Sequence, residues 1–162
     1  MITEFRALVD YYQQKGELRH VYKPVHARYE LPAVMKKTNG GKPVLFHQVD
    51  DYAMPVAGGF GNTRAAIAES MGVAVADLRA HFARAIANPI PTHRVQQAPV
   101  QQHVVYPPFT LTDYFPIMTY YERDSAPFMI CGILTLKNMD GSKTYTSIRR
   151  MQYLAKTNAT PP

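Results

Sequence analysis

The sequence predicts an α+β or mixed α/β chain of two parts, an N-terminal α/β domain over residues 1–98 and a β-rich segment over residues 99–162. Three observations predict this class. Helical and strand-like patterns alternate through the first part, prolines concentrate between Asn88 and Pro108, and the patterns after that stretch are strand-like. Because proline removes a backbone donor and fixes φ, the proline-rich stretch should be extended, and it is the predicted domain boundary.

Four helices are expected in the first part, from apolar residues that recur at spacings of three and four. In the first helix Phe5, Leu8 and Tyr12 share one face, and Gly16 terminates it. Asn62 and Asp77 are the expected N-caps of the third and fourth helices, because their side chains accept hydrogen bonds from the first helical turn. The last three helices are predicted at about Arg28–Thr38, at Thr63–Met71 with Gly72 as its stop, and from Asp77 to Pro89.

Strands are expected where short runs of β-branched and aromatic residues lie between turn formers. The first part should contain three of them and the second part four, with Asp140-Gly141 as the turn of a hairpin. The predicted strands are Leu18–Val25, Val44–Val49, Met54–Ala57, Val100–Tyr106, Ile117–Tyr121, Phe128–Asn138 and Tyr145–Leu154.

Composition argues against several classes of protein. The chain has 162 residues, a formal net charge of +6 and one cysteine. Its basic residues are scattered without a polybasic run, which argues against a nucleic-acid-binding module. The longest strongly apolar run, Pro127–Leu136, is about half the ~20 residues of a spanning helix, so no membrane location is expected. The single Cys131 is expected to be a small core residue and indicates a cytoplasmic location.

Two local patterns give weak functional signals. The glycine-rich turn Gly58–Gly61 joins a predicted strand to a predicted helix, where backbone N–H groups can meet a phosphate, but a tight structural turn is the preferred interpretation. The six histidines lack the short spacings of a zinc site. No metal ligand is therefore assigned.

Three stretches of the sequence follow one another in an informative order. The opening FRALVDYYQQKGELRHVYKPVHARYELPAVMKK combines a predicted helix, a Gly-Glu-Leu strand and a second helix. GGKPVLFHQVDDYAMPVAGGFGNTRAAIAESMGV combines a strand, a glycine-rich turn and a helix. DYFPIMTYYERDSAPFMICGILTLKNMDGSKTYTSIRRMQ contains an Asp-Ser-Ala-Pro turn, a long apolar strand and a strand that ends in Ser-Ile-Arg-Arg-Met-Gln. In this order the stretches resemble the N-terminal domain and the leading edge of the flavin site in the UbiD family of decarboxylases, which act on aromatic and acrylic acids with prenylated FMN. The resemblance implies a UbiD-like N-terminal domain followed by part of a split-barrel flavin-binding domain.

The resemblance also implies roles for residues of the last strand. Family members bind prenylated FMN through an Asn-x-x-Ile-x-Arg-like segment, which corresponds here to Tyr145, Ile148 and Arg150. Ser147 suits a contact with flavin or phosphate, and Arg150 would reach the substrate carboxylate in an assembled site. Tyr145 replaces the family's metal-binding Asn, and a phenol is a poor ligand for a hard cation. Prenylated FMN is thus the implied cofactor, with its divalent metal in doubt, and a chain that binds no cofactor remains an alternative.

The family's catalytic glutamates, metal-binding residues and arginine-rich loop follow this strand, whereas the present sequence stops at Pro162. Without an acid near the substrate the carbon left by CO2 loss cannot be reprotonated. The sequence therefore predicts part of a split or truncated carboxy-lyase that is inactive alone, completed by a second chain or by self-association. The alternative is a non-catalytic UbiD-like binding or regulatory protein. Neither nucleic acid nor membrane is an expected partner.

Overall fold

A computed structural model describes residues 1–93 and 95–154. Helices and short strands alternate through the first part of the chain, and two longer strands follow a stretch of turns and single-turn helices. This mixed α/β composition confirms the predicted class. The elements are α1 (Phe5–Gln14), β1 (Arg19–Val21), α2 (Glu30–Lys37), β2 (Val44–Phe46), β3 (Val56–Gly58), α3 (Arg64–Met71), α4 (Leu78–Ala87), β4 (Phe128–Lys137) and β5 (Thr144–Gln152), with 3-10 turns at Val75–Asp77, Pro99–Gln101 and Leu111–Asp113.

The strands form two separate sheets within the described residues. One has three strands in the order β1-β2-β3, and the other is the antiparallel pair β4-β5. The side chains of Val44 and Phe46 in β2, and of Val49 just beyond it, are fully buried. The first-part strands are shorter than the predicted ones, because pairing stops at β1 residue Val21 and β2 residue Phe46. The sequence thus stays apolar beyond the last paired residue of each of these two strands.

The chain divides into two compact units. The first comprises Met1–Arg19, Thr38–Leu45 and Ala57–Phe109, and the second comprises His20–Lys37, Phe46–Val56 and Thr110–Pro162, of which residues 155–162 lie outside the described part. Each unit therefore collects segments that are distant in sequence. The domain boundary predicted between residues 98 and 99 stays a prediction.

In the first unit, aromatic contacts hold α1 in place. The rings of Phe5 and Tyr12 meet the ring of Phe60 edge-on, with centroids 5.2 and 5.7 Å away. Edge-on ring pairs add to the free energy of burial because the positive ring edge meets the negative face. The face predicted for α1 is therefore the packed one.

The caps of α3 and α4 differ from the prediction. The N-cap of α3 is Thr63, whose Oγ1 accepts from the Ala66 N–H at 3.1 Å, while the Asn62 side chain donates to the Gly41 carbonyl. Asp77 does precede α4, but it has helical dihedral angles and makes no capping hydrogen bond, because the turn Val75–Asp77 already leads into the helix. Gly72 ends α3 with a φ of +68°, as predicted.

In the second unit, α2 begins later than predicted because of its backbone. Tyr29 has a φ of +67°, which interrupts right-handed helix, and its N–H donates to the Thr119 carbonyl at 2.9 Å. The helix therefore starts at Glu30, and Leu31 and Pro32 are buried in its first turn. Before the helix, Val25 makes a parallel bridge with Val49.

Two of the strand predictions for the second part are wrong. Val100–Tyr106 has no strand, and a 3-10 turn occupies Pro99–Gln101 instead. Ile117–Tyr121 is reduced to single bridges, Thr119 with Arg28 and Met118 with Phe128. A β-branched run becomes a strand only where a partner ladder continues, and prolines at both ends of the first run limit pairing.

Two further expectations concern Cys131 and the membrane. Cys131 lies in β4, but its side chain is outside the described part, so its core role stays a prediction. Across residues 1–93 and 95–154, none of the helices combines the length and apolar character needed to cross a bilayer.

Candidate functional site

The β4-β5 hairpin positions the predicted cofactor residues, and its turn is fixed by side-chain hydrogen bonds. Asp140 accepts from the Ser142 N–H at 2.8 Å, which holds the pKa of its carboxyl below the usual value. The Asn138 side chain accepts from the Lys143 N–H at 2.9 Å. Gly141 has a φ of +72°, which glycine adopts without steric cost. The Asp-Gly signal therefore identified the turn correctly.

The register of the hairpin decides which residues share a face. Ile133 lies opposite Ile148, Leu134 opposite Ser147 and Leu136 opposite Tyr145. Because successive side chains of a strand point to opposite sides, the four predicted site residues divide between two faces. We name these the Ile148 face, with Ile133, Ile148 and Arg150, and the Tyr145 face, with Leu134, Leu136, Tyr145 and Ser147.

The Ile148 face presents an exposed apolar pair next to an exposed cation. Ile133 and Ile148 are 71% and 75% exposed, and they lie directly opposite one another. Arg150 is exposed on the same face, and its guanidinium carbon is 5.5 Å from the centroid of the Phe128 ring. A guanidinium over an aromatic face is oriented by the ring quadrupole, so this contact restricts Arg150 without using its hydrogen-bond donors.

The Tyr145 face differs in chemistry and burial. Tyr145 is 58% exposed and Leu136 is 56% exposed, whereas Leu134 and Ser147 are half-buried. The structure thus brings Ile148 together with Arg150, and Tyr145 together with Ser147. The four predicted site residues therefore do not surround a single point. Their closeness in sequence alone had not decided this.

A glycine that the sequence reasoning passed over shapes the base of the hairpin. Pairing is irregular between Met129 and Gly132, where β4 contains a bulge. A Cβ placed on Gly132 would come within 2.2 Å of the Met151 methyl carbon and 3.3 Å of the Arg149 carbonyl oxygen. The bulge and the glycine together allow β5 to approach β4 closely. An isolated glycine within the apolar run was the available signal.

A second constellation in the same unit was also missed. His26 Nδ1 lies 2.7 Å from Asp50 Oδ1, and Asp50 Oδ2 accepts from the Ala27 N–H at 3.0 Å. Asp50 has a φ of +45°, uncommon for a residue with a side chain. The Asp50 carboxylate raises the pKa of His26 by hydrogen bonding and by its charge. Nothing local in the sequence links residues 26 and 50.

The remaining charged network lies in the first unit. Glu69 accepts from the Tyr11 hydroxyl at 2.9 Å and from the Lys15 ammonium, and Lys15 also pairs with Glu17. The two carboxylates raise the pKa of Lys15, while the Lys15 and Tyr11 donors lower the pKa of Glu69. Its charged groups pair with one another, so we assign this network to a structural role.

Comparison with known proteins gives two adjoining domain matches. Residues 9–86 match the 3-octaprenyl-4-hydroxybenzoate carboxy-lyase N-terminal domain, and residues 93–161 match the Rift-related domain of the same carboxy-lyase. Fold and matches define a domain pair of the carboxy-lyase class. The chain belongs to the UbiD family.

Solved structures agree with this assignment. The UbiD-class enzyme HmfF from Pelotomaculum thermopropionicum, in an evolved dimeric form with prFMN, is 31% identical with a TM-score of 0.86, over 91% of this chain and 35% of that one. The same enzyme in complex with FMN gives the same identity and TM-score, over 34% of its chain. Apo 3,4-dihydroxybenzoic acid decarboxylase (AroY) from Klebsiella pneumoniae, 22% identical, shares the fold with a TM-score of 0.86 over 94% of this chain and 35% of that one. The chain spans about a third of each.

The residues present suit a flavin better than a metal. Ile148 offers an exposed apolar side chain for a flat ring, and Arg150 on the same face offers a cation for an anionic group. For a divalent metal, Tyr145 supplies only a phenol oxygen where carbonyl and carboxylate oxygens are preferred. Within residues 1–93 and 95–154, no three His, Cys, Asp or Glu side chains are grouped as a metal site requires.

Proposed function

We propose that this chain is one part of a UbiD-type carboxy-lyase, which carries out reversible, non-oxidative decarboxylation of an aromatic or α,β-unsaturated acid with prenylated FMN. One observation carries the proposal. The hairpin that bears Arg150 also exposes the apolar pair Ile133 and Ile148, although a two-stranded hairpin is only marginally stable without cover. Such a surface suits a cofactor and the further elements of a larger fold.

Each residue of the Ile148 face has a role in this proposal. When bound, prenylated FMN supplies the electron sink that decarboxylation requires. Ile148 contacts the flat cofactor, and Arg150 binds the substrate carboxylate through its paired N–H donors. The contact with the Phe128 ring keeps the Arg150 guanidinium oriented. Ser147 and Tyr145 face the other way, so Ser147 contacts a phosphate or a different part of the cofactor.

The chain is inactive by itself in this proposal. A decarboxylase needs an acid that returns a proton to the carbon, and the resemblance to the family implies that its catalytic glutamates follow the strand that bears Arg150. HmfF, to which the chain is similar, is a much longer protein, since 91% of this chain covers 35% of it. We propose that a second polypeptide supplies the remaining elements and that the complex works in the cytoplasm.

Native mass spectrometry of the tagged chain, recovered from its own cells, tests this proposal. A larger second polypeptide together with the mass of prenylated FMN is the expected result. Hydrogen exchange gives an independent measure, since the isolated chain should exchange rapidly in β4 and β5 and slowly once the partner binds. A bare monomer with fully protected hairpin amides contradicts the proposal.

A second candidate function is a non-catalytic UbiD-like binding or regulatory protein. Tyr145 favours it, because the phenol stands where the family has a metal-binding Asn and is 58% exposed on the hairpin. An exposed tyrosine is typical of protein interfaces. The Tyr145→Asn variant distinguishes the two functions. A gain of FMN or Mn²⁺ affinity indicates a retained site, whereas unchanged affinity with lost partner binding favours the regulatory function.

A further inference from the structure

The second unit contains a groove that is separate in its residues from the set predicted on β5. It lies between α2 and the turn that begins at Tyr120, and it encloses about 320 Å³. This is at the lower end of the range of small-molecule sites, about 300–1,000 Å³. It is lined by three tyrosines, two small apolar residues and one residue of each charge: Tyr29, Tyr120, Tyr121, Pro32, Ala33, Lys36 and Glu122.

The aromatic walls of the groove are held by backbone hydrogen bonds. Asp124 Oδ2 accepts from the N–H groups of both Tyr120 and Tyr121, at 3.1 and 2.9 Å. On the opposite wall, the left-handed backbone of Tyr29 is fixed by its N–H bond to Thr119, and the Arg28 guanidinium donates to its hydroxyl at 3.1 Å. Because the backbone on both sides of the groove is already fixed, a ligand has to order only side chains when it enters.

The lining restricts the chemistry of a ligand. Tyrosine faces favour a flat ring, which stacks or meets them edge-on. Lys36 is the only cation in the lining, and its ammonium lies 5.9 Å from the Tyr121 ring centroid. The ion pairs of the described residues involve Lys15 and His26, and none uses Lys36. The lining holds one cation, Lys36, and one carboxylate, Glu122, so a single anionic group can pair with Lys36 whereas each further negative charge is repelled without a partner.

We propose that this groove binds a flat aromatic anion with a single negative charge. The ring lies between the tyrosines above the small residues Pro32 and Ala33, and the charged group lies beside Lys36. This inference goes beyond the proposed function, because it needs neither flavin nor a second polypeptide. A failure of either proposal leaves the other intact.

The test adds three small molecules, one at a time, to the full chain and monitors binding through the NMR chemical shifts of its backbone amides. Benzoate carries both ring and charge, benzamide the ring alone, and cyclohexanecarboxylate the charge alone. We expect benzoate to shift the amides of Ala33, Tyr120 and Tyr121, and to bind about 5-fold more tightly than either control, as one exposed ion pair and one ring contact of modest strength imply. Equal binding of the three probes, or shifts located elsewhere, overturns the proposal.

Two variants and one matched control locate the site. Lys36→Gln should weaken benzoate about 5-fold and leave benzamide unchanged, since only the ion pair with the carboxylate is removed. Lys37→Gln, one residue along α2 and outside the lining, should leave both affinities unchanged. Ala33→Phe should abolish benzoate binding because the new ring fills the groove. An Ala33→Phe chain that keeps its fold by circular dichroism and still binds benzoate contradicts the site.

Discussion

Ile133 and Ile148 lie directly opposite each other across the β4-β5 hairpin, with 71% and 75% of their surfaces exposed. Three residues further along the same pair of strands, Leu136 and Tyr145 form a second exposed pair on the other face. The hairpin thus exposes one pair of large side chains on each of its two sides. A monomeric surface rarely presents such an arrangement unless another surface covers it.

Replacing the first pair should separate assembly from folding. The double variant Ile133→Thr/Ile148→Thr keeps β-branched side chains, so the stability of the isolated chain should change by less than about 0.5 kcal/mol. Binding to the proposed second polypeptide should fall at least tenfold, because the apolar contact is lost. Sedimentation velocity of the mixed components measures the loss.

The adjacent polar pair on that face provides the matched control. Thr135 and Thr146 share a hydrogen bond of 3.2 Å between their hydroxyls, and Thr135→Ser/Thr146→Ser preserves it. This control should assemble normally. If the isoleucine variant also assembles normally, the Ile148 face is not the assembly surface.

Gly132 should be intolerant of a side chain for a specific reason. In Gly132→Ala the new Cβ meets the end of the Met151 side chain, which has to move, and it presses on the Arg149 carbonyl. We expect a loss of about 1–3 kcal/mol in the free energy of unfolding, as for other overpacked sites. Adding Met151→Ala should restore part of it, because the nearest obstructing atom is removed. Urea denaturation of the two variants checks this, and an additive double variant excludes the steric explanation.

The element types were largely predictable from local sequence, whereas their lengths and contacts were not. The β4-β5 hairpin follows from Asp140-Gly141 between two apolar runs, and α3 follows from its Gly72 stop. The prediction of a strand at Val100–Tyr106 was wrong because strand formation depends on a neighbouring strand to pair with, which no local pattern encodes. The division of Tyr145 and Ile148 between two faces follows from alternation alone, but which groups lie opposite them required the register.

The cap of α3 offers a direct comparison of two neighbouring residues. Thr63→Ala removes the acceptor for the Ala66 N–H and should cost about 1 kcal/mol of stability. Asn62→Ala removes a longer bond, 3.3 Å, to the Gly41 carbonyl and should cost less. Thermal unfolding of both variants ranks the two residues. A larger effect at Asn62 would restore it as the principal cap.

The His26–Asp50 pair predicts how stability depends on pH. Because Asp50 raises the pKa of His26 in the folded chain, folding favours the protonated imidazole. The stabilisation is fully present below the unfolded pKa of histidine, ~6.5. It is lost as the pH rises through the higher folded pKa. Asp50→Asn removes the carboxylate charge that is the main cause of the raised pKa of His26, so it should lower that pKa and weaken this pH dependence. Asp51 makes the smallest of the charge contributions to the pKa of His26, so Asp51→Asn should change that pKa little.

NMR titration of the His26 ring protons measures its pKa, and urea unfolding at several pH values measures the pH dependence of stability. An unchanged His26 titration in Asp50→Asn would show that the 2.7 Å contact does not control its charge.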